Sequence, residues 1–385
     1  MRLYITCVII AILATLVATS PTPRVSDEVD ALANDALANL ITYERSHRVS
    51  NKKCTLQNAA VRREWGSLGL IERKKYTDAM LCLMSKPPKL ASKDAPGIRN
   101  RFDDFVSVHI RQTPTIHATG NFLTWHRYYT WAFEQALRNE CGYDGHQPYW
   151  GWNKYAHDPI NSPLFDGSDY SLSGNGEYAP HNATPVAPTT NVPPGRGGGC
   201  VTTGPFKNMS VNLGPVGQTL KIPDLKPQSG NGLDYNPRCL RRDISSYVSM
   251  RWTKTSDVTG LIRNYTDIGS FQDTMQGNLT SGDIGVHGGG HYTIGGDPGG
   301  DFYVSPSEPA FYVHHAMIDR VFWIWQNRDP ETRRYAVSGT LTMFNDPPSR
   351  NTTLDDIVDL GGLVEPYRLG DLLDTTGGPF CYIYA

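Results

Sequence analysis

The chain has 385 residues, 39% hydrophobic and 19% charged, with a formal net charge of −2. That balance suits a folded protein and excludes a disordered one, and the absence of a basic stripe excludes nucleic acid as an expected partner. With 37 Gly and 27 Pro, much of the chain must run as loops and turns.

Residues 1–20 read as a secretory signal. Arg2 is their only charge, an apolar core follows, and Ala18 and Ser20 are small residues ahead of a cut after Ser20. The apolar run is short for a span, which needs about 20 residues. The expected product is therefore a secreted, extracellular protein with no membrane segment after signal removal, residues 21–385 forming one domain. Once Cys7 leaves with the signal, Cys54, Cys82, Cys141, Cys200, Cys239 and Cys381 remain. An even set in an exported chain implies disulfides. Many pairings are open; the expected one is Cys54–Cys381, Cys82–Cys141 and Cys200–Cys239. No Cys-x-x-Cys pair occurs, which argues against zinc–thiolate or redox chemistry. Asn182, Asn208, Asn264, Asn278 and Asn351 begin glycosylation sequons, which fits the same route.

Ser26 is placed to cap a helix with Asp27 and Glu28 in its first turn. Val29, Leu32, Ala33, Ala36, Leu37, Leu40 and Ile41 continue it at helical spacing. A second helix is expected near Asn58–Trp65, and a third over Ile71–Met84, stopped by Pro87 and Pro88. From Arg101, Phe102, Phe105, Val106, His109 and Ile110 share one helical face, so His109 is on the buried side. The segment QTPTIHATGN reads as a loop carrying His117. A long aromatic helix then begins at Phe122, with His126 near its start and Tyr129, Phe133, Ala136 and Leu137 along its inner stripe. Residues 155–238 are rich in Gly, Pro, Asn and Ser and read as long loops with a few short strands, tied by Cys200 and Cys239. Helical pattern resumes near Asp243–Met250 and Val258–Tyr265. After a histidine-rich stretch, residues 329–385 are polar and rich in turns.

That stretch holds HGGGH (His287–His291) and FYVHHAMIDRVFWIW (Phe311–Trp325). His287 and His291 lie one helical turn apart, and one of His314 or His315 completes a trio. His109, His117 and His126 form another. Iron pairs in helical bundles use Glu with Glu-x-x-His, and catalytic zinc gives no reason for two imidazole trios. Imidazole-only sites suit copper. The glycines between His287 and His291 each cost about 1 kcal/mol in a helix relative to Ala, so packing and the metal must hold these rings, and the glycines are expected to leave open space beside the metal. His47, His146, His157 and His181 sit in polar surroundings and read as ordinary.

FLTWHRYYTWAFE and FYVHHAMIDRVFW resemble the two copper-binding motifs of the tyrosinase, catechol oxidase and polyphenol oxidase superfamily, the type 3 copper proteins. The resemblance runs from about residue 54 to 384, including VRREW (Val61–Trp65) and Tyr382-Ile383-Tyr384. It is greatest to short secreted fungal members without a C-terminal shielding domain. It implies a mainly α fold: a four-helix bundle core holding a dinuclear copper site, wrapped in long loops with a few short strands. It makes His109, His117 and His126 ligands of the first copper, and His287, His291 and His315 ligands of the second. His314 then stands behind the ligands, with Asp319 one turn past His315 and able to orient it or its neighbours. Arg127 and Arg320 read as salt-bridge partners. The cofactors implied are two copper ions, with O2 as co-substrate and small phenols as partners. The resemblance also associates efficient monophenol hydroxylation with an Asn just after the first second-copper ligand and a nearby acidic residue. Here those positions are Gly288 and Gln276, with Asp283 as a rival, and an amide cannot act as a base. The implied activity is therefore oxidation of o-diphenols, with o-aminophenols as further substrates, and weak monophenol hydroxylation. An efficient tyrosinase, an oxidase of one secondary metabolite and a non-catalytic oxygen carrier are the alternatives. Tyr292 and Phe302 are expected in the substrate pocket, Phe302 as a gate over the copper. Thr115 replaces a Cys that some fungal members join to the ligand two residues on, so the His117 loop is expected to be less constrained unless packing compensates.

Overall fold

In a computed structural model, which describes residues 27–47, 53–217, 220–222, 225 and 230–385, the first helix, α1, spans Glu28–Ser46. Its cap is Asp27, whose carboxylate accepts the Val29 N–H at 3.3 Å. Ser26 and the expected signal lie outside the described residues. The helix expected near Asn58–Trp65 is instead a strand, Ala60–Arg62, pairing in parallel with Tyr382–Tyr384. Thus VRREW and the terminal Tyr-x-Tyr meet in one ladder.

Helix α2 (Leu70–Ser85) stops before the two prolines as expected. Helix α3 (Arg101–Ile116) starts where Asn100 accepts the Asp103 N–H at 3.0 Å. It runs further than expected, through Pro114, so His117 is the residue that ends the helix rather than part of a free loop. Helix α4 (Phe122–Cys141) ends at Gly142, whose φ of 67° is the left-handed conformation glycine adopts without penalty. Helices α5 (Ser246–Trp252) and α6 (Thr255–Asn264) follow the long loops, and α7 (Ile268–Gln276) was not foreseen. Helix α8 (Gly285–Ile294) carries HGGGH and α9 (Ala310–Arg328) carries the histidine pair.

Helix α9 is buried on every face from Ala310 to Asn327, the pattern of a central core helix. It packs on α1, α4 and α8, while α3 joins α4. So α3, α4, α8 and α9 form the four-helix core. Among the described residues the strands form only two-stranded ladders in the surrounding loops. Three disulfides join Cys54 to Cys381, Cys82 to Cys141 and Cys200 to Cys239, the expected pairing. All five sequon asparagines are exposed. Among the described residues no helix is long and apolar enough to cross a membrane.

Asp319 corrects an expectation. Its carboxylate faces away from the histidines, accepting from Arg127 Nε at 2.5 Å and from the Tyr382 and Tyr384 hydroxyls at 2.6 Å each, with Arg62 at 3.4 Å. The guanidinium of Arg62 also stacks 3.6 Å from the Tyr382 ring centre. Asp319 therefore ties the end of the chain to the core, and does not orient His315. Arg127 and Arg320 are ion-pair partners as expected, Arg320 with Asp30.

Candidate metal centre

Histidine rings from four helices converge in the core. His109, His117 and His126 form one cluster; His287, His291, His314 and His315 form the other. The clusters adjoin: the His126 and His315 rings stack with centres 4.5 Å apart, and His117 lies 5.9 Å from His287.

The backbone sets the rings of the first cluster. Nδ1 of His109 donates to the Tyr303 carbonyl at 2.8 Å, that of His117 to Thr113 at 3.0 Å, and that of His126 to Phe122 at 2.8 Å. A proton held on Nδ1 leaves a lone pair on Nε2. The Nε2 atoms of His109, His126, His287 and His314 are buried without a partner. Such orphans are costly unless something fills the space between them. In the second cluster, Nε2 of His291 and Nε2 of His315 face each other at 3.1 Å. That separation suits two imidazoles sharing one ion at about 2.0–2.1 Å from each.

One hydrogen bond favours His315 over His314 as the third ligand of the second cluster. The Trp152 indole N–H donates to Nδ1 of His314 at 3.1 Å. A neutral His314 then carries its proton on Nε2 and has no free lone pair. Its ring fills the space beside Gly290, where a Cβ would collide with it. Burial drives every ring toward the neutral, ligating form. His117 is pushed down to about 4, and His109, His126, His287, His291 and His315 fall well below the usual imidazole range. Two neutral all-imidazole trios, free of carboxylate and thiolate, fit two copper ions.

The HGGGH glycines do not share one role, which corrects the expectation of open space beside all of them. A Cβ at Gly289 would lie 2.8 Å from Trp252, so this glycine lets α8 approach α5, and Gly290 accommodates His314. Gly288 alone of the three lines a cleft of about 520 Å³ that reaches His117, His287 and His291. Even there a Cβ would press on Ile284 at 2.9 Å.

The cleft also contains Tyr292, Phe302 and Gln276. Phe302 is 37% exposed, and its ring centre is 4.5 Å from that of His117. Burial pushes the Tyr292 hydroxyl up to about 12. The Gln276 amide is committed: its oxygen accepts the Ala118 N–H at 2.7 Å. Asp283 does not line the cleft, and its Oδ1 takes the Trp252 indole N–H at 2.9 Å and the Gly285 N–H at 3.0 Å. Two carboxylates do line it: Asp301, whose oxygens are taken by the Val216, Gly217, Tyr303 and Val304 N–H groups, and Asp273, on the unforeseen α7, which partial burial and then the charge of Asp267 raise above the usual range. Leu279, Met343, Phe344 and Asn345 were missed as well. The Thr115 hydroxyl turns back to the Gln112 carbonyl, and His117 is held by its bond to Thr113 and by Phe302, so packing compensates for the missing link. His181 is less ordinary than expected: its side chain is buried, 3.1 Å from Asp243.

Residues 99–328 match the family model described as the common central domain of tyrosinase. Over 330 residues, 84% of this chain and 91% of the other, the sequence is 41% identical to "Tyrosinase P" of Aspergillus terreus. It is 38% identical to an N-acetyl-6-hydroxytryptophan oxidase of Emericella nidulans, covering 86% of this chain and 94% of that one. Among solved structures, a glycine-to-asparagine variant of a polyphenol oxidase from Thermothelomyces thermophila superposes with a TM-score of 0.86 at 44% identity, over 94% of this chain and 98% of the other.

Proposed function

The chain belongs to the tyrosinase family, and from that premise we propose that it is a secreted copper oxidase that turns o-diphenols, and o-aminophenols, into o-quinones and their imine analogues. In this reading His109, His117 and His126 hold one copper, and His287, His291 and His315 hold the other. The pair supplies redox chemistry: each of two catechols gives up two electrons and two protons, and one O2 takes all four of each and leaves as two waters. The chain's own residues do the positioning. Backbone carbonyls fix the ring tautomers of the first trio, burial keeps all six rings unprotonated, and Phe302 and Tyr292 offer aromatic faces to a substrate ring. Glycosylation at the exposed sequons belongs to the same reading of an exported chain.

The observation that carries the preference for diphenols is Gly288, which has no side chain to hold a water beside the second trio. The nearby Gln276 oxygen is already occupied by the Ala118 N–H. A second reading, an efficient monophenol hydroxylase, is favoured by Asp273, a carboxylate in the same cleft. A relative named for a hydroxytryptophan supports the variant in which the substrate is one particular secondary metabolite.

Oxygen uptake by the copper-loaded protein with catechol, 2-aminophenol and tyrosine separates these. We expect rapid uptake with the first two and a tyrosine rate at least about tenfold lower. A tyrosine rate close to that of catechol, abolished by Asp273→Asn, would establish the second reading. Because a Cβ at position 288 would lie 2.9 Å from the Ile284 Cβ, Gly288→Asn should raise the tyrosine:catechol ratio only when combined with Ile284→Gly, which removes that atom.

A further inference from the structure

The chain has 12 phenylalanines. Ten are buried, and the two exposed ones, Phe302 at 37% and Phe344 at 68%, both line the metal-centre cleft. Leu279, 39% exposed, lines it too, with Met343 beside Phe344. Exposed aromatic surface gathered at one cleft marks a binding surface more than chance exposure does.

Phe344 is also held in an unfavourable backbone conformation. Its φ is 56°, and that of Asn345 is 58°, a region that bulky side chains rarely enter. Three hydrogen bonds keep the turn there: Phe344 N–H to the Ala118 carbonyl at 3.3 Å, Asn345 N–H to Thr342 at 3.0 Å, and Ser349 N–H to the Asn345 side chain at 2.9 Å. Ala118 itself follows His117 and is anchored by Gln276. The turn that presents Phe344 is thus tied to the segment carrying a ligand histidine, which fixes the ring's height relative to the metal centre.

The cleft, at about 520 Å³, falls in the range of about 300–1,000 Å³ that takes drug-sized ligands. A single phenol ring on the histidines leaves the outer part unfilled. We propose that Phe344, with Leu279 and Met343, forms an outer subsite that receives a second aromatic ring or similarly large neutral group on the phenol, so that the preferred substrates are aryl-substituted o-diphenols. Asp273 in the same wall disfavours an acidic substituent. Phe344 and Phe302 together present aromatic surface to both parts of such a molecule.

The inference rests on the o-diphenol oxidase reading, and its test separates the two. Oxidation of 4-phenylcatechol and of catechol is compared in the wild type, Phe344→Ala and Phe344→Gly. Glycine keeps the positive φ open, so that variant removes the ring without straining the turn. The wild type should prefer 4-phenylcatechol in kcat/KM, and each variant should lower that preference about tenfold, chiefly through KM. Calorimetry gives a readout without turnover: biphenyl-4-carboxylic acid and benzoic acid share the acid group, so the wild type should bind the biphenyl more tightly and the variants should lose that margin. Equal preference in wild type and variants, or a wild type that favours catechol, overturns the subsite while leaving the oxidase reading standing. A copper-loaded wild type that oxidises neither substrate overturns the oxidase reading first, and the subsite with it.

Discussion

His315→Ala is expected to leave one copper ion per chain where the wild type holds two, and to lower catechol oxidation on the order of a thousandfold, the loss of several kcal/mol of metal-supplied stabilisation. The neighbouring His314→Ala should retain both ions. The difference between adjacent residues follows from tautomer chemistry. Nδ1 of His314 is taken by the Trp152 indole, whereas Nε2 of His315 faces Nε2 of His291 at 3.1 Å. The His314 change acts indirectly: it empties space beside Gly290 and unpairs a buried indole N–H, so an effect of about 10–100-fold on metal affinity is expected. Metal analysis of both variants after dialysis checks the assignment. Loss of a copper from His314→Ala alone would reverse it.

Asp319→Ala is expected to destabilise the fold by about 3–5 kcal/mol, the cost of stranding buried charge when one partner is removed. Arg62 and Arg127 are both fully buried and both lean on this carboxylate, as do the Tyr382 and Tyr384 hydroxyls. Asp319→Asn should be milder, since an amide oxygen still accepts hydrogen bonds. The group also carries a pH signature. Burial pushes the carboxyl up, but Arg127 and Arg62 outweigh it and hold the net value below the ordinary 3.8. A depressed carboxylate stabilises the fold above its ordinary value and loses that contribution as pH falls through the folded one. Chemical denaturation from pH 6 downward should therefore show a loss below about 4 that is shallower in Asp319→Asn. A variant as stable as the wild type would show that the terminal Tyr-x-Tyr strand is not anchored through this residue.

The parts of the fold legible in the sequence are those where pattern is local. Phe102, Phe105, Val106 and His109 mark the inner face of α3 within two turns, and the aromatic run of α9 announces a buried helix. The histidines proposed as ligands were legible for the same reason, each lying in a short motif, with His315 separated from His314 only by the family resemblance. Asp319 was misread because its partners are far off; Arg62 and Tyr384, 322 positions apart, meet only in a parallel ladder. A three-residue strand such as Ala60–Arg62 has no periodicity to read. Helix α7 did leave a signal: Asp267 caps it, and Ile268, Phe271 and Met275 fall on one face. Overlooking it hid Asp273. Phe344 had no local signal, since its importance lies in a backbone angle and in a cleft assembled from five separate segments. Nor do the carbonyls that fix the first trio have one, because a backbone oxygen carries no residue identity.

The most direct measurement combines copper content with oxygen stoichiometry in the wild-type protein. Two copper ions per chain, with one O2 consumed for every two catechols oxidised, is the predicted result. Two bound ions without catechol-dependent oxygen uptake, or full activity with a single ion, would contradict it.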